Sequence, residues 1–481
     1  MKLIHTLIIL RILSTIVLIE AISFLFCIPV ALIYDEPIRP FLLSAAIAVF
    51  FFIISFETTG KVADQKLSNR DGFISVTLSW IVFSAAGTLP YILSGSIPSF
   101  VDAFFECSSG VTTTGASILT DVEVLPYSIL FWRNLTHWIG GLGIIVLVII
   151  ILPSLGVTGY KLFSLESSLK EKIHPKIKSV GFRILFIYVG LTLTQTIFLV
   201  IGDMNLFDSI CHSFSTLATG GFSNKNLSLS YYSPYSQYVV MIFMFLAGIS
   251  QVVFYYLFKF NFKKVGQNEE LWFYTGVSLL VGTVISFILL FQTDSSFEEA
   301  FRHGFFTVIS VLTTTGSYSN DYIVWPIPAL IILYLLLFAG ASTGSTTGNI
   351  KMARHLIILK NINNIFNKLN HPNALSNVRF NGLIISDKTN ISILSFIVLY
   401  MFFFIIGSII LVITGSDTVT ATSAVAACLG NVGPGLGKVG PAANYSPFSD
   451  FVKVILSLLM IIGRLEIITV FALFTKSFWK L

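Results

Sequence analysis

Charge is what this sequence has least of. Of its 481 residues, 29 are Lys or Arg and 24 are Asp or Glu, so 11% are charged against 55% hydrophobic, and the mean hydropathy is +0.86. A soluble globular chain carries roughly 25% charged residues. So sparsely charged a surface has to be solvated by lipid. Cysteine is also scarce. Cys27, Cys107, Cys211 and Cys428 show no CxxC spacing and all fall in apolar stretches, which reads as small buried residues. The sequence offers no metal-ligand cluster, no Ser-His-Asp arrangement and no glycine-rich nucleotide loop, and its seven histidines are scattered. His137, within LTHWIGG, reads as a packed helix residue. Neither an enzyme nor an organic cofactor is expected in this chain. The net charge of +5 resides in loops between apolar runs and leaves no soluble basic domain, which argues against a nucleic-acid partner.

What the sequence has in quantity is apolar runs of about 20 residues, the length that spans a bilayer. Ten candidate spans lie near 3–34, 41–60, 72–94, 126–152, 180–202, 236–259, 271–292, 326–342, 390–414 and 451–475. The first has no small-residue cleavage site and is expected to be a retained anchor. Lys and Arg concentrate after the even-numbered spans: Lys61, Lys66 and Arg70; Lys161, Lys170, Lys172, Lys176 and Lys178; Lys259, Lys263 and Lys264; Lys351, Arg354, Lys360, Lys368, Arg379 and Lys388. The opposite loops carry Asp35, Glu36, Asp121, Glu123 and Asp321 instead. The positive-inside rule then places both termini in the cytosol.

Residues 111–115 read VTTTG and residues 311–316 read VLTTTG. Between pairs of spans lie mixed segments too short and too polar to cross. They are FVDAFFECSSGVTTTGAS (100–117), LFDSICHSFSTLATGGFS (206–223), FRHGFFTVISVLTTTGSYS (301–319) and DTVTATSAVAACLGNVGPG (417–435). Each reads as a short helix followed by a Thr/Gly/Asn-rich turn, bracketed by two spans, and the turns end at Gly115, Gly221, Gly316 and Gly433. The expected organisation is an N-terminal transmembrane pair (1–65) and four repeats (66–165, 166–265, 266–370 and 371–481). The fold class is thus an all-α polytopic membrane protein, with four span–pore helix–span repeats around a central pore plus two extra N-terminal transmembrane helices. Asp102 and Asp208, at the starts of the first two short helices, are expected to cap them or to attract cations.

Irregular backbone cannot face lipid and is tolerated at membrane depth where it lines a water-filled path. Four such turns around one axis would present a ring of carbonyls, which can replace the hydration shell of a monovalent cation. Taken singly, a TTTG turn reads first as a helix C-cap with threonine back-bonding; four at matching places in four span pairs do not. Two further features stand out. AGASTGSTTGN (339–349) interrupts the eighth span with Gly340, Gly344 and Gly348, which suits either close helix packing or a loop across the path. Arg464 lies inside an apolar span, where an arginine is a functional candidate by default; snorkelling or an interhelical ion pair is the alternative. Glu466, two residues on, lies on a different helix face and is a poor direct partner.

These stretches, with HWIGGLGIIVL (137–147), AGASTGSTTGNIKMAR (339–354) and GRLEIITVF (463–471), resemble the TrkH/Trk/KtrB superfamily of potassium transporters, the TrkH branch most closely. The resemblance covers essentially the whole chain, and the N-terminal pair favours the TrkH branch. It implies a potassium filter centred on Gly115, Gly221, Gly316 and Gly433, with carbonyls from Thr113, Thr114, Thr219, Gly220, Thr314, Thr315, Asn431 and Val432. The fourth quarter, GNVGPG, departs from the threonine pattern. It also implies a gate formed by the loop with Gly340, Gly344, Ser345, Thr346 and Gly348, and by Arg464 projecting into the pore. The expected setting is the bacterial inner membrane, in lipid, as a homodimer with a cytosolic nucleotide-binding regulatory subunit of the TrkA type. The basic loops 161–178 and 351–388 would meet that subunit. The transported ion would be K⁺. A sodium- or proton-coupled alternating-access symporter, built on broken spans, is the alternative.

Overall fold

The computed structural model describes residues 4–59, 68–146, 177–371 and 377–479. Lys61, Lys66 and residues 161–176 of the first basic loop lie outside the described residues. Within them the chain is almost wholly helical, with one antiparallel two-strand hairpin, Arg379–Phe380 with Leu383–Ile384.

The N-terminal pair comprises Thr6–Leu25, continued after a break at Phe26 by Cys27–Ile33, and Arg39–Thr59. Its first helix packs on the second and on Asn69–Ala86. Ser68 caps Asn69–Ala86 in a reciprocal capping box with Asp71. The Asp71 carboxylate also accepts from the His5 backbone N–H (2.9 Å) and pairs with the His5 ring (2.8 Å), which fixes the pair to the repeat that follows.

Each repeat has an entering span, a short helix and an outgoing helix. The entering spans are Asn69–Ala86 with Leu89–Leu93, Ile177–Ile201, Glu269–Gln292 and Asp387–Ile413. The short helices are Phe100–Val111, Leu206–Leu217, Phe297–Leu312 and Thr418–Leu429. Three of these have 12 residues and the third has 16, about one extra turn. The short helices are the most enclosed elements. Ala421 and the run Ala424–Leu429 are fully buried, and small side chains are what let neighbouring backbones come this close. The entering spans are the reverse. Leu280 is 67% exposed and Val398 68%, an apolar perimeter suited to lipid.

The outgoing helices depart from the expected spans, except at the eighth, where an interruption was expected at 339–349. Among the described residues, six helices are long and apolar enough to cross a membrane, and a bent pair makes a seventh. That pair, Pro234–Ala247 and Gln251–Phe258, turns by 95° where 236–259 was expected to be one span. The third outgoing helix is only Ile327–Leu336, after which the chain becomes a loop to Met352. The fourth, Asp450–Arg464, stops at Leu465 and resumes as Ile467–Ala472. The first, Tyr127–Val146, runs unbroken to the edge of the described residues. The second and third short helices pack against the outgoing helix of the repeat before them, the fourth shares a core cluster with Ile327–Leu336 through Ala426 and Ala427, and the first packs on Asp450–Arg464, so the repeats close on themselves.

The packing of the fourth short helix on its own outgoing helix is tight enough to test. A Cβ on Gly463 would lie 1.9 Å from the Leu429 carbonyl oxygen, whereas one on Gly190 meets nothing within 4 Å. Gly463→Ala should destabilise the protein by about 1–3 kcal/mol, and Gly190→Ala should be neutral or stabilising by up to about 1 kcal/mol. Thermal unfolding of the two variants in detergent compares them directly.

Candidate functional site

Every short helix needs a start and a stop inside the protein. The starts use side chains. Ser99, Asn205, Ser296 and Asp417 are the N-caps, accepting from the backbone N–H of Asp102 (3.4 Å), Asp208 (2.8 Å), Glu299 (3.3 Å) and Thr420 (2.9 Å). Asp102 and Asp208 are therefore not the caps but the third helical residues, still well placed at the positive end of the helix dipole. Asp102 forms an ion pair with Lys453 Nζ at 2.6 Å, and Asp208 accepts from the side-chain amides of Asn205 and Asn224.

The stops repeat one geometry four times. The N–H groups of Thr114, Gly220, Thr315 and Val432 each donate at 2.8 Å to the carbonyl five residues back, at Ser109, Ser215, Ser310 and Ala427. The N–H groups of Thr113, Thr219, Thr314 and Asn431 donate to the carbonyl three residues back. This is the Schellman closure of a helix C-terminus. Its left-handed position usually holds glycine, but here φ is +53° at Thr113, +57° at Thr219, +56° at Thr314 and +56° at Asn431. The turn is also back-bonded by threonine: Thr112 Oγ1 donates to Ser108 O (2.6 Å) and Thr313 Oγ1 to Ile309 O (2.7 Å). The C-cap reading of TTTG is thus correct for each turn. What it leaves out is where the turns meet.

Two residues beyond each left-handed residue stands a glycine with φ between +75° and +92°. A Cβ on Gly115 would lie 2.0 Å from Gly220 O; on Gly221, 1.9 Å from Thr315 O; on Gly316, 2.1 Å from Val432 O; on Gly433, 2.5 Å from Thr114 O. The four turns therefore form a closed cycle in chain order, each glycine abutting the next turn's carbonyl. The side chains of Thr113, Thr114, Thr219, Thr314, Thr315, Asn431 and Val432 are fully buried. Gly115, Gly221 and Gly316 are half-buried and, with Gly433, line a cavity of about 150 Å³ that also touches Lys225 and Asn444. The fourth turn is joined to the first by Asn431 Nδ2, which donates to Thr114 Oγ1 (3.0 Å) and Met460 O (2.9 Å).

The segment 339–351 lies against the inner side of this cycle. Gly340 bridges to Lys351, Gly344 has φ +78° and Asn349 φ +65°. The segment seats in the 95° break of the second repeat, where Ser342 N–H donates to Gly248 O (3.0 Å) and Gln251 N–H to Gly344 O (3.2 Å). Thr346 Oγ1 donates to Leu217 O (3.0 Å), and Gly348 N–H to Thr314 Oγ1 (2.8 Å). A Cβ on Gly348 would be 2.5 Å from Gly430 O. The loop thus touches the second, third and fourth short helices. Lys351 Nζ donates to Thr347 Oγ1 (2.7 Å), and buried Ser345 bonds Thr347 through its hydroxyl (2.8 Å).

Arg464 is 3% exposed and donates from Nη1 to Thr346 O at 2.7 Å. Its Nε and Nη2 have no hydrogen-bond partner among the described residues. Glu466 is paired elsewhere, with Arg354 at 2.6 Å.

One buried pair went unnoticed in the sequence. Glu106 and Arg133, 0% and 3% exposed, meet at 2.6 Å behind the first two turns. Glu106 also accepts from Ser117 Oγ and Ile118 N–H, while Arg133 donates to Ser223 O and stacks over Phe222 at 3.5 Å. His137 is the packed residue expected of it, and it also links the same turns, with Nδ1 2.7 Å from Gly110 O and Phe222 N–H donating to Nε2 (3.3 Å). Glu106→Ala strands a buried guanidinium and should cost about 3–5 kcal/mol; adding Arg133→Met should recover most of that loss. Thermal unfolding of the single and double variants in detergent measures both.

The family model described as TrkH, cation transport protein, matches residues 43–480. The chain is 36% identical to the Trk system potassium uptake protein TrkH of Salmonella typhimurium over 86% of its length and 87% of that relative. It is 35% identical to the Trk system potassium uptake protein TrkG of Escherichia coli, over 94% of each chain. The crystal structure of the potassium transporter TrkH from Vibrio parahaemolyticus aligns with a TM-score of 0.91, at 31% identity, over 99% of this chain and 100% of that one.

Proposed function

Because the chain belongs to the TrkH family of cation transport proteins, we propose that it carries K⁺ inward across the bacterial inner membrane through a central pore. The observation that carries the reading is the closed cycle of four Schellman turns. Its carbonyls at Thr114, Gly220, Thr315 and Val432 each abut the preceding turn's glycine, so all four belong to one ring. Such a ring substitutes for the water shell of a desolvated monovalent cation. The filter then comprises Thr113, Thr114 and Gly115; Thr219, Gly220 and Gly221; Thr314, Thr315 and Gly316; and Asn431, Val432 and Gly433. The C-terminal ends of the four short helices point their negative dipole ends at the same ring, which favours a cation there.

The gate in this reading is the loop carrying Gly340, Gly344, Ser345, Thr346 and Gly348, together with Arg464. The loop's contacts with three short helices put it beneath the ring, and Arg464 adds a positive charge that raises the barrier for a cation behind it. The driving force is the membrane potential, worth about 2.3 kcal/mol per charge per 100 mV. Both termini face the cytosol, as does the basic segment 351–388. The working assembly is a homodimer with a nucleotide-binding regulatory subunit of the TrkA type.

The breaks in three outgoing helices favour one second reading, a sodium- or proton-coupled symporter. Rubidium and sodium uptake into proteoliposomes under an imposed inside-negative potential separates the two. The pore reading expects rapid Rb⁺ uptake with no ion gradient added. Gly316→Ser, whose Cβ meets Val432 O at 2.1 Å on a backbone with φ +75°, should abolish discrimination against Na⁺ or abolish flux. Arg464→Ala should raise flux with selectivity kept. Uptake that requires a Na⁺ or H⁺ gradient and ignores Gly316→Ser would establish the symporter.

A further inference from the structure

We propose that Glu270 is the positioning residue that holds the loop 343–353 closed, and that Glu269 beside it connects this hold to the Arg379–Ile384 hairpin. The inference rests on the gate reading above and adds the contact by which that gate is governed. Glu270 lies in the first turn of Glu269–Gln292 and is fully buried. Its Oε1 accepts three hydrogen bonds: from Thr343 N–H (2.7 Å), Thr343 Oγ1 (3.0 Å) and Ala353 N–H (2.8 Å). Thr343 stands within the loop, three residues before Thr346, and Ala353 is the second residue of the helix Met352–Asn370 that leaves it. One carboxylate oxygen therefore pins both ends of the segment that carries Thr346, the acceptor for Arg464. Three donors converging on one carboxyl oxygen fix that oxygen and both stretches of backbone relative to one another.

The neighbouring residue faces outward. The Glu269 carboxylate is ion-paired with Lys360 Nζ, on the helix that follows the loop, and Lys360 Nζ also donates to Arg379 O (2.8 Å). Glu269 N–H donates to Asn381 Oδ1 (2.9 Å), at the tip of the hairpin. The hairpin and the helix Met352–Asn370 thus hang on Glu269, and the loop hangs on Glu270, one peptide bond away. A partner that displaces the hairpin shifts the start of Glu269–Gln292 and loosens the loop's hold at Thr343 and Ala353 together. The element that such a partner biases is the loop itself, as any claim of coupling between sites requires.

The test uses the full-length protein in proteoliposomes, with two readouts on each preparation: Rb⁺ uptake under an inside-negative potential, and amide hydrogen exchange across 343–353. Glu270→Ala is expected to speed exchange in 343–353 and raise Rb⁺ flux several-fold with the Rb⁺/Na⁺ ratio unchanged. Glu270→Gln keeps an acceptor oxygen and is expected to restore both readouts most of the way, which general loss of packing would not do. Asn381→Ala is expected to move both in the direction of Glu270→Ala by a smaller amount. Should Glu270→Ala fail to fold, Thr343→Val, which removes one of the three bonds, is expected to give a partial shift of the same sign. Unchanged exchange in 343–353 for every variant that folds overturns the proposal whatever the flux does. Faster exchange with unchanged flux leaves Glu270 as the loop's anchor and overturns the gate reading instead.

Discussion

No helix terminus can be left open where water is excluded, and the central part of this fold follows from that constraint. Four helices end in the middle of the protein, each with carbonyls that have no partner in the next turn. The Schellman closure satisfies them, but it demands a left-handed residue, and a side chain there costs roughly 1–2 kcal/mol over glycine. The chain accepts this at Thr113, Thr219, Thr314 and Asn431. At two of these positions the side chain does something glycine could not. Thr314 Oγ1 accepts from Gly348 N–H, and Asn431 Nδ2 binds Thr114 Oγ1 and Met460 O. Glycine is kept for the position two residues later, where a Cβ would strike the next turn's carbonyl. Thr314 and Asn431 and the glycines thus divide two tasks: the first two tie their turns to the surroundings, and the glycines let the turns approach one another.

The same constraint governs the outgoing helices. A break such as 248–250 frees backbone groups at depth, and those groups pair with the loop: Gly248 O with Ser342 N–H, and Gly344 O with Gln251 N–H. The loop is irregular too, and it needs the break as much as the break needs it. Asn349 completes the arrangement, donating to Leu337 O and accepting from Tyr400 O–H (3.0 Å), so that the end of Ile327–Leu336 is closed by a side chain from the far end of the loop. Two irregular segments that would each be unstable alone form one satisfied unit.

Much of this was legible in the sequence because the constraint leaves marks in composition. Gly115, Gly221, Gly316 and Gly433 stand out from matching segments in matching places, and the glycines of 339–349 betray a helix that cannot continue. Three things were not legible, each for a physical reason. The 95° bend hides in AGISQVV, where apolar side chains mask a backbone break that is satisfied from 94 positions away, by Ser342 bonding to Gly248. The N-caps were placed three residues late, since an acid in the first turn draws the eye past the Ser or Asn before it. The buried pair Glu106–Arg133 joins two helices whose sequences look merely amphipathic, and nothing local announces which charge meets which.

Arg464 shows how the parts bear on one another. A buried guanidinium is tolerated when its donors are satisfied or its charge is balanced, and neither condition is met in full. Thr346 O takes one donor, Nε and Nη2 find no partner among the described residues, and the nearby carboxylate of Glu466 is committed to Arg354. Arg354 in turn stacks on Phe396 at 3.8 Å, so that pair is held from both sides and is not free to move toward Arg464. The positive charge is thus fastened to the loop by a single bond and left otherwise uncompensated. In the proposed pore, any movement that carries Thr346 away also releases Arg464. The steric and electrostatic barriers would then withdraw together, with no second trigger required.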